Sequence, residues 1–424
     1  MKIIHTYRQH PGDTGSDIFF DELTDEMKKK TLNIKIITSD LIRWGKHFKY
    51  YTTIREKNKS LGIIRIPFTL LRFINPWFFN LNKNSKFRQL DKFIFKFEKK
   101  IIRFLRVLSY KLNLIIPWGL FQDELGWKLF LILIKQNFDF IHTTCIPRSC
   151  ITASLLAAKI KKIPIMITPF YHYQEKRFYE NDKFWMRILR NFDCINVCTD
   201  TEKDYMIQHG INSKKIIKVG LGVYFDEIKL ENDNNWREKL QIENDKFVVL
   251  YMNSIISDPL KGVHQVIEAA AKLPEFHFIF AGKDERIWNN MILRYNKKFD
   301  LKNCHFVGYV VGKAKYSLFH TSDLIVRPSI NEALGIFYLE GMSAGKPIIT
   351  SNIDSMKEIS NNVGFCVEHG NVQELIEKIK ILQSNKSLYH EFSKNAIKKS
   401  EGYSWRVISR KFERLYDILL KLQK

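Results

Sequence analysis

Two patterns of hydrophobic positions alternate along most of the chain. Short apolar runs give way to stretches in which apolar residues recur every three or four positions, with Gly, Pro, Asn or Ser at the joins. Lys2 to Tyr7 reads as a strand, Ile18 to Lys30 as a helix and Asn33 to Thr38 as the next strand. F-D-F-I-H-T-T and P-I-M-I-T-P-F-Y-H read as strands ending at His142 and His172, and Asp193 to Thr199 as another. A helix follows, capped by Thr201 at its start and Gly210 at its end. The pattern then restarts, with a strand from Phe247 to Met252, a helix from Val263 to Lys272 and a strand from His277 to Ala281. Each half therefore predicts strand-helix-strand units and a parallel sheet.

The stretch from Ile42 to Trp127 breaks this rhythm and is punctuated by Pro67, Pro76 and Pro117. Within it Phe87, Leu90, Ile94, Phe97, Ile101, Leu105, Leu108 and Leu112 form one helical face, while Lys92, Lys96, Lys99, Arg103 and Arg106 fall largely off it. A basic amphipathic helix fits an anionic membrane surface. It equally fits a helix packed on the N-terminal sheet with a solvated basic face. A mixture is preferred, with the apolar stripe inward and the basic side, near Trp77, Phe78 and Phe79, on headgroups.

The most informative segment runs from Ser322 to Thr350. Leu324 to Arg327 is a short strand, Pro328 to Asn331 a loop, and a helix starting near Gly335 carries Ile336, Leu339 and Met342. Gly345 and Pro347 stop that helix, and the next strand ends at Thr350. Glu332 lies in the loop and Glu340 on the helix. A helix N-terminus binds phosphate through unpaired N–H groups and the positive end of its dipole. Phosphate there, with a carboxylate on either side to accept sugar hydroxyls, suits a nucleotide-sugar. Two solvated acids on an ordinary unit are the bland alternative.

P-S-x-x-E-A-L-G-x-x-x-L-E-G-M-S-A-G-K-P-I-I resembles the Glu-x7-Glu signature of retaining GT-B glycosyltransferases, the family 4 group. The resemblance covers nearly the whole chain. It is strongest from 245 to 375 and weakest from 42 to 127. It implies an α/β GT-B fold of two Rossmann-like domains facing a central cleft. The first would be 1–222, completed by the helix 404–424, and would bind the acceptor; the second, 223–403, would bind the nucleotide-sugar. By the same resemblance Glu340 holds the ribose hydroxyls, and Glu332 with the amides of Ala333, Leu334, Gly335 and Ile336 holds the donor sugar and diphosphate. Lys261 matches the basic residue at the diphosphate, Tyr309 and Val310 the base-binding turn, and Gly15 the glycine loop after the first strand. His172 matches a histidine beside the donor sugar, with Phe170 and Tyr171 inserted before it; Glu175 and Arg177 lie just beyond. The arginine usual in the family about five residues before Lys261 is missing, and Asn253 and Ser254 stand nearest. Diphosphate charge then rests on Lys261 and the helix terminus, with Arg327 at hand. A Gly-Gly pair usual in the family is also absent from the loop after Thr350.

The expected reaction moves a sugar from a UDP- or GDP-linked donor to a glycan or lipid-linked acceptor in cell-surface polysaccharide or glycolipid assembly. The chain has no Asp-x-Asp triplet, so no catalytic metal and no cofactor besides the donor substrate are expected. The net charge of +23 bears on partners rather than fold. Nucleic acid and anionic membrane are the candidates. A basic nucleic-acid-binding protein is the rival reading, but no helix-turn-helix, zinc or RNP signature is present, so no nucleic acid is expected. A GT-B sugar epimerase is a further alternative. The six cysteines form no C-x-x-C pair and read as buried thiols. The N-terminus reads as a strand rather than a signal peptide, and no run reaches the ~18 apolar residues of a membrane span. The expected location is cytoplasmic, peripheral on the inner face of the cell membrane.

Overall fold

The computed structural model describes residues 2–9, 15–30, 33–39, 41–44, 47–50, 63–66, 100–101, 126–146, 148–171, 182–231 and 235–422. The amphipathic stretch 87–112, apart from the helical Lys100 and Ile101, lies outside the described residues, as do His172, Glu175 and Arg177. The chain divides into two compact units. Unit 1 comprises Met1–Val197, Glu202–Val219 and Ser409–Lys424; unit 2 comprises Cys198–Thr201 and Gly220–Ile408.

The strands of unit 1 are β1 (Lys2–Gln9), β2 (Asn33–Ser39), the antiparallel hairpin β3 (Leu41–Trp44) and β4 (His47–Tyr50), β5 (Ile63–Ile66), β6 (Phe140–Thr143), β7 (Ile165–Ile167), β8 (Cys194–Val197) and β9 (Ile216–Lys218). Seven of them form a parallel sheet in the order β5-β2-β1-β6-β7-β8-β9. Ile3, Ile4, Ile36, Ile37, Ile165 and Ile167 are buried, as expected of strands covered on both faces. The helices are α1 (Gly15–Lys29), α2 (Gly126–Lys135), α3 (Ser149–Lys161), α4 (Asp182–Leu189) and α5 (Asp200–Gln208). The α1 helix begins at Gly15, so that glycine opens a helix rather than lying in the preceding loop. Thr201 is likewise not the cap of α5, which starts one residue earlier, at Asp200; the Thr201 hydroxyl donates to Thr199 Oγ1 at 3.1 Å instead. The hairpin and β5 lie where the sequence showed no period.

Unit 2 carries β10 (Val248–Ile255), β11 (His277–Lys283), β12 (Cys304–Phe306), β13 (Leu324–Val326), β14 (Ile348–Ser351) and β15 (Gly364–Val367), all parallel, in the order β12-β11-β10-β13-β14-β15. Its helices are α6 (Phe225–Leu230), α7 (Asn235–Lys239), α8 (Val263–Ala271), α9 (Glu285–Asn296), α10 (Lys313–Thr321), α11 (Ile336–Ser343), α12 (Asp354–Ser360), α13 (Val372–Ser384) and α14 (Lys386–Glu401). The last helix, α15 (Trp405–Lys421), belongs to unit 1 from Ser409 onward. Among the described residues no helix is long and apolar enough to cross a membrane. The six cysteines are free thiols, and Cys150, Cys194 and Cys198 are buried.

His142 sits at a strand end, as its sequence position implied, but it is fully buried and serves the fold. It faces His5 across the β1–β6 pair. The hydrogen bonds around the two rings fix every proton. Thr24 Oγ1 donates to Phe20 O, so it must accept from His5 Nδ1 at 2.7 Å. With the ring neutral, His5 Nε2 is left as an acceptor and takes the Tyr416 hydroxyl at 3.2 Å. Tyr416 Oη therefore accepts from His142 Nδ1 at 2.6 Å. His142 Nε2 in turn accepts from Thr168 Oγ1 at 2.8 Å, and that oxygen accepts from Asn196 Nδ2 at 3.1 Å. Asn196 Oδ1 closes the row on the Val219 amide at 3.0 Å. The row ties α15 to α1, to β1, β6 and β8, and to the residues that follow β7 and β9, through side chains that are otherwise costly to bury.

Charging either imidazole would remove an acceptor this row needs. Burial, with Lys28 adding to it, lowers the His5 pKa to about 3; burial, with His5 adding to it, takes His142 well below its ordinary value. In the unfolded chain both titrate near pH ~6.5. Between those limits the unfolded state binds protons that the folded state refuses. Stability is therefore complete above pH ~6.5 and falls with pH by about 1.4 kcal/mol per unit for each histidine. Denaturant unfolding between pH 7 and pH 4 should show an uptake approaching two protons, dropping toward one in His5→Asn. A stability that stays flat over that range would contradict the neutral assignment.

Candidate functional site

The strand order of unit 2 reverses beside β10. The chain runs outward through β11 and β12, then returns to place β13 on the other side of β10. The crevice beyond the carboxyl ends of strands at such a point is where open α/β sheets bind ligands. Arg327 follows β13 there, and its Nη1 donates to Met252 O of β10 at 3.1 Å. The turn after β10 closes on the same loop. Ile330 N and Ser329 Oγ both donate to Leu260 O, at 2.9 and 3.2 Å. Gly262 makes this approach possible, with φ of 74° and so little room that a Cβ would lie 2.5 Å from Pro328 O.

Glu332 projects into this junction with its side chain only 9% exposed. Lys261 Nζ and Arg327 Nη2 approach the same carboxylate oxygen, Oε1, at 2.9 and 2.8 Å. Lys261 Nζ also donates to Asn331 O, and Ser355 Oγ to Glu332 O at 2.8 Å, so the loop is held from both sides. The Arg327 guanidinium lies over the Phe337 and Tyr338 rings, 4.9 and 5.3 Å from their centroids. Burial works against its charge, but Glu332, with Tyr338 and Tyr251, outweighs burial and raises its pKa. Its Nε–H is buried and finds no acceptor among the described residues. Where the family has a second cation before Lys261, Asn253 bonds its own turn, Nδ2 to Ile255 O at 2.6 Å. Arg327 provides a second cation from the neighbouring strand.

Ala333 is half-buried and Leu334 buried, and Gly335, with φ of 73°, leads into α11. That helix has no acid in its first turn, which leaves its positive end unopposed locally. Glu340 lies one turn further on, 9% exposed, and its Oε1 pairs with Lys315 Nζ from α10. The turn before α10 holds Tyr309, which is exposed and has Lys283 Nζ 4.6 Å from its ring centroid, and the half-buried Val310. The structure thus brings Lys261, Glu332, Ala333–Ile336 and Glu340 onto one loop-helix junction, with the Tyr309–Val310 turn leading into the helix of Lys315. Gly15 belongs to unit 1. Sequence reasoning passed over Lys315. Its only signal was a lysine in the first turn of a helix, where acids are favoured.

Residues 232–399 match the family model for glycosyl transferases group 1. The chain is 26% identical over 320 residues to the capsular polysaccharide biosynthesis glycosyltransferase CapM of Staphylococcus aureus, covering 72% of this chain and 83% of that one. It is 25% identical over 315 residues to the N,N'-diacetylbacillosaminyl-diphospho-undecaprenol alpha-1,3-N-acetylgalactosaminyltransferase of Campylobacter jejuni, covering 68% of this chain and 80% of that one. Among solved structures, Anabaena HepE in complex with UDP-glucose aligns with a TM-score of 0.70 at 15% identity, over 98% of this chain and 99% of that one. The fold is therefore the two-domain α/β GT-B fold, and the protein is an enzyme that transfers sugars. The segment that matches the group 1 model lies within unit 2.

Two cations on one buried oxygen predict a coupled response. Lys261→Ala or Arg327→Met alone leaves Glu332 one of the two. Removing both strips the buried carboxylate of both cations, a loss of about 3–5 kcal/mol. Urea unfolding should show the double variant less stable than the sum of the single effects. Additive losses would mean that the two cations act independently of Glu332.

Proposed function

We propose that the chain is a retaining, family 4 glycosyltransferase. It takes a sugar from a UDP- or GDP-sugar and passes it to a glycan or lipid-linked acceptor in cell-surface polysaccharide or glycolipid assembly. The observation that carries this reading is the Glu332 carboxylate, buried between Lys261 and Arg327 at the switch point, eight positions before Glu340 on the adjoining helix. CapM and the undecaprenol-linked transferase, by their names, act in capsule and lipid-linked glycan synthesis, and the solved relative holds UDP-glucose. These likenesses support the donor and acceptor classes.

In this reading the diphosphate lies against Lys261 and the amides of Ala333 to Ile336, with the Arg327 charge behind. Glu332 accepts hydroxyls of the donor sugar, and Glu340 those of the ribose. Tyr309 and Val310 lie along the base. By the resemblance, Gly15 belongs to the glycine loop of the donor site and His172 orients the sugar. The bond from the anomeric carbon to the phosphate oxygen breaks, and the acceptor oxygen bonds to that carbon on the same face. The acceptor proton passes to the departing phosphate oxygen. Positive groups placed where that negative charge develops lower the barrier. No cofactor or metal is assigned beyond the nucleotide-sugar itself.

The reading is tested by nucleoside diphosphate release from UDP- and GDP-sugars, with and without membrane extract. Release that depends on the extract is expected from one donor. Glu332→Gln should cut turnover at least a hundredfold, the scale for losing one group that stabilises transition-state charge. In Lys261→Ala, binding of the diphosphate should weaken more than that of the free nucleoside, as calorimetry would show. Equal loss on both would assign Lys261 to structure.

We place the enzyme at the inner face of the cell membrane, held by the basic stretch 83–111, in which ten basic residues face only Asp91 and Glu98. It should sediment with anionic vesicles at low salt and leave them as salt rises, because the attraction is screened over ~8 Å at physiological ionic strength. Replacing Lys92, Lys96, Lys99 and Arg103 by Gln should weaken this without changing nucleotide affinity. Tight binding of a nucleic-acid duplex with none to vesicles would overturn the placement.

A further inference from the structure

Lys315 occupies a poor position for a lysine on local grounds. It lies in the first turn of α10 beside Lys313, and that turn has no acid. The N-terminal end of a helix carries partial positive charge, so a cation there is disfavoured. The two side chains, of Lys315 and its partner Glu340, are 24% and 11% exposed. So enclosed an ion pair adds little net stability, because both groups give up water to form it. The pair is not needed to join the two helices either. Phe319 of α10 and Phe337 of α11 already meet, their ring centroids 5.9 Å apart, and Leu318 and Leu339 are fully buried.

The position makes chemical sense beside a vicinal diol. Each hydroxyl of a ribose both donates and accepts. A carboxylate only accepts, and an ammonium only donates. Glu340 alone would leave the hydroxyl oxygens without donors. Lys315 and Glu340 together present both kinds of group side by side. The chain order agrees with this: the exposed Tyr309 turn comes directly before α10, so a base lying on that turn would bring its ribose to the first turn of α10.

We propose that Lys315 is a specificity-determining residue of the donor site, a second half of the ribose clamp. Its Nζ donates to a ribose hydroxyl oxygen while Glu340 accepts the hydroxyl protons. The proposal rests on the reading of Glu340 as the ribose carboxylate. Lys315 also gives the carboxylate a countercharge when the sugar covers it. It thereby favours ribonucleotides over deoxyribonucleotides.

Calorimetry with UDP and GDP, and with the 2′-deoxy and 3′-deoxy forms of whichever binds, tests this on wild type, Lys315→Met, Lys315→Arg, Glu340→Gln and the Lys315→Met/Glu340→Gln double variant. Lys315→Met should weaken the ribonucleotide about ten- to a hundredfold, the scale of a charge-assisted hydrogen bond. It should cost much less for the deoxynucleotide that lacks the contacted hydroxyl. Lys315→Arg should recover most of the loss, and the double variant should bind little worse than Glu340→Gln alone. Should Lys315→Met fail to fold, Lys315→Gln keeps the shape and carries the same comparison. Wild-type affinity in the Lys315 variant, or equal loss on ribo- and deoxynucleotide, would overturn the proposal while leaving Glu340 in place. Undiminished binding by Glu340→Gln would instead overturn the Glu340 reading, and this proposal with it.

Discussion

A carboxylate that has lost its water must find positive charge, and unit 2 is built around that requirement at Glu332. Lys261 and Arg327 reach the same oxygen from two different strand ends. For Lys261 to do so, the turn after β10 must press against Pro328, which is why position 262 has no side chain and a positive φ. For Arg327 to do so, its guanidinium must be covered, and Phe337 and Tyr338 from the first turns of α11 cover it. The Tyr338 hydroxyl then donates to the Arg327 carbonyl and fixes the backbone between them. Buried ionic groups of this kind contribute little to stability compared with apolar groups of the same shape. A fold that keeps three of them in one place is giving up stability for chemistry.

Much of unit 2 was legible in the sequence because local and global signals agree there. Pro328, Gly335, Gly345 and Pro347 mark the ends of short elements, and β13 and α11 fall within a residue or two of where those marks place them. The parallel sheets followed from apolar runs separated by helical periods. The hairpin β3–β4 and the strand β5 did not, since the segment that holds them offers neither a period of two nor one of 3.6. The sheet itself assigns β5 its place, at the edge beside β2.

The side-chain partners were less legible than the elements. Glu332 and Glu340 were visible as a spaced pair, and Arg327 as a nearby cation. Lys315 was not, because it is 25 residues from Glu340 in sequence and meets it only through the packing of α10 on α11. His142 shows the opposite failure. Strand ends of parallel sheets are where ligands gather, yet its partners, Tyr416 and Thr168, lie 274 and 26 residues away and make it part of the interior. Sequence position locates a group along a strand. Whether the group meets water or another side chain is decided by elements far away in the chain.

The row of hydrogen bonds through those histidines has a direction. A closed ring of hydroxyls and imidazoles can circulate its protons either way, and the two senses are degenerate. This row is open, and its ends are unlike: the Phe20 carbonyl can only receive, and the Val219 amide can only give. One sense is therefore allowed throughout, and the proton order carries no residual entropy. The links are also in series. A break at any one of them reverses nothing but strands the groups on both sides.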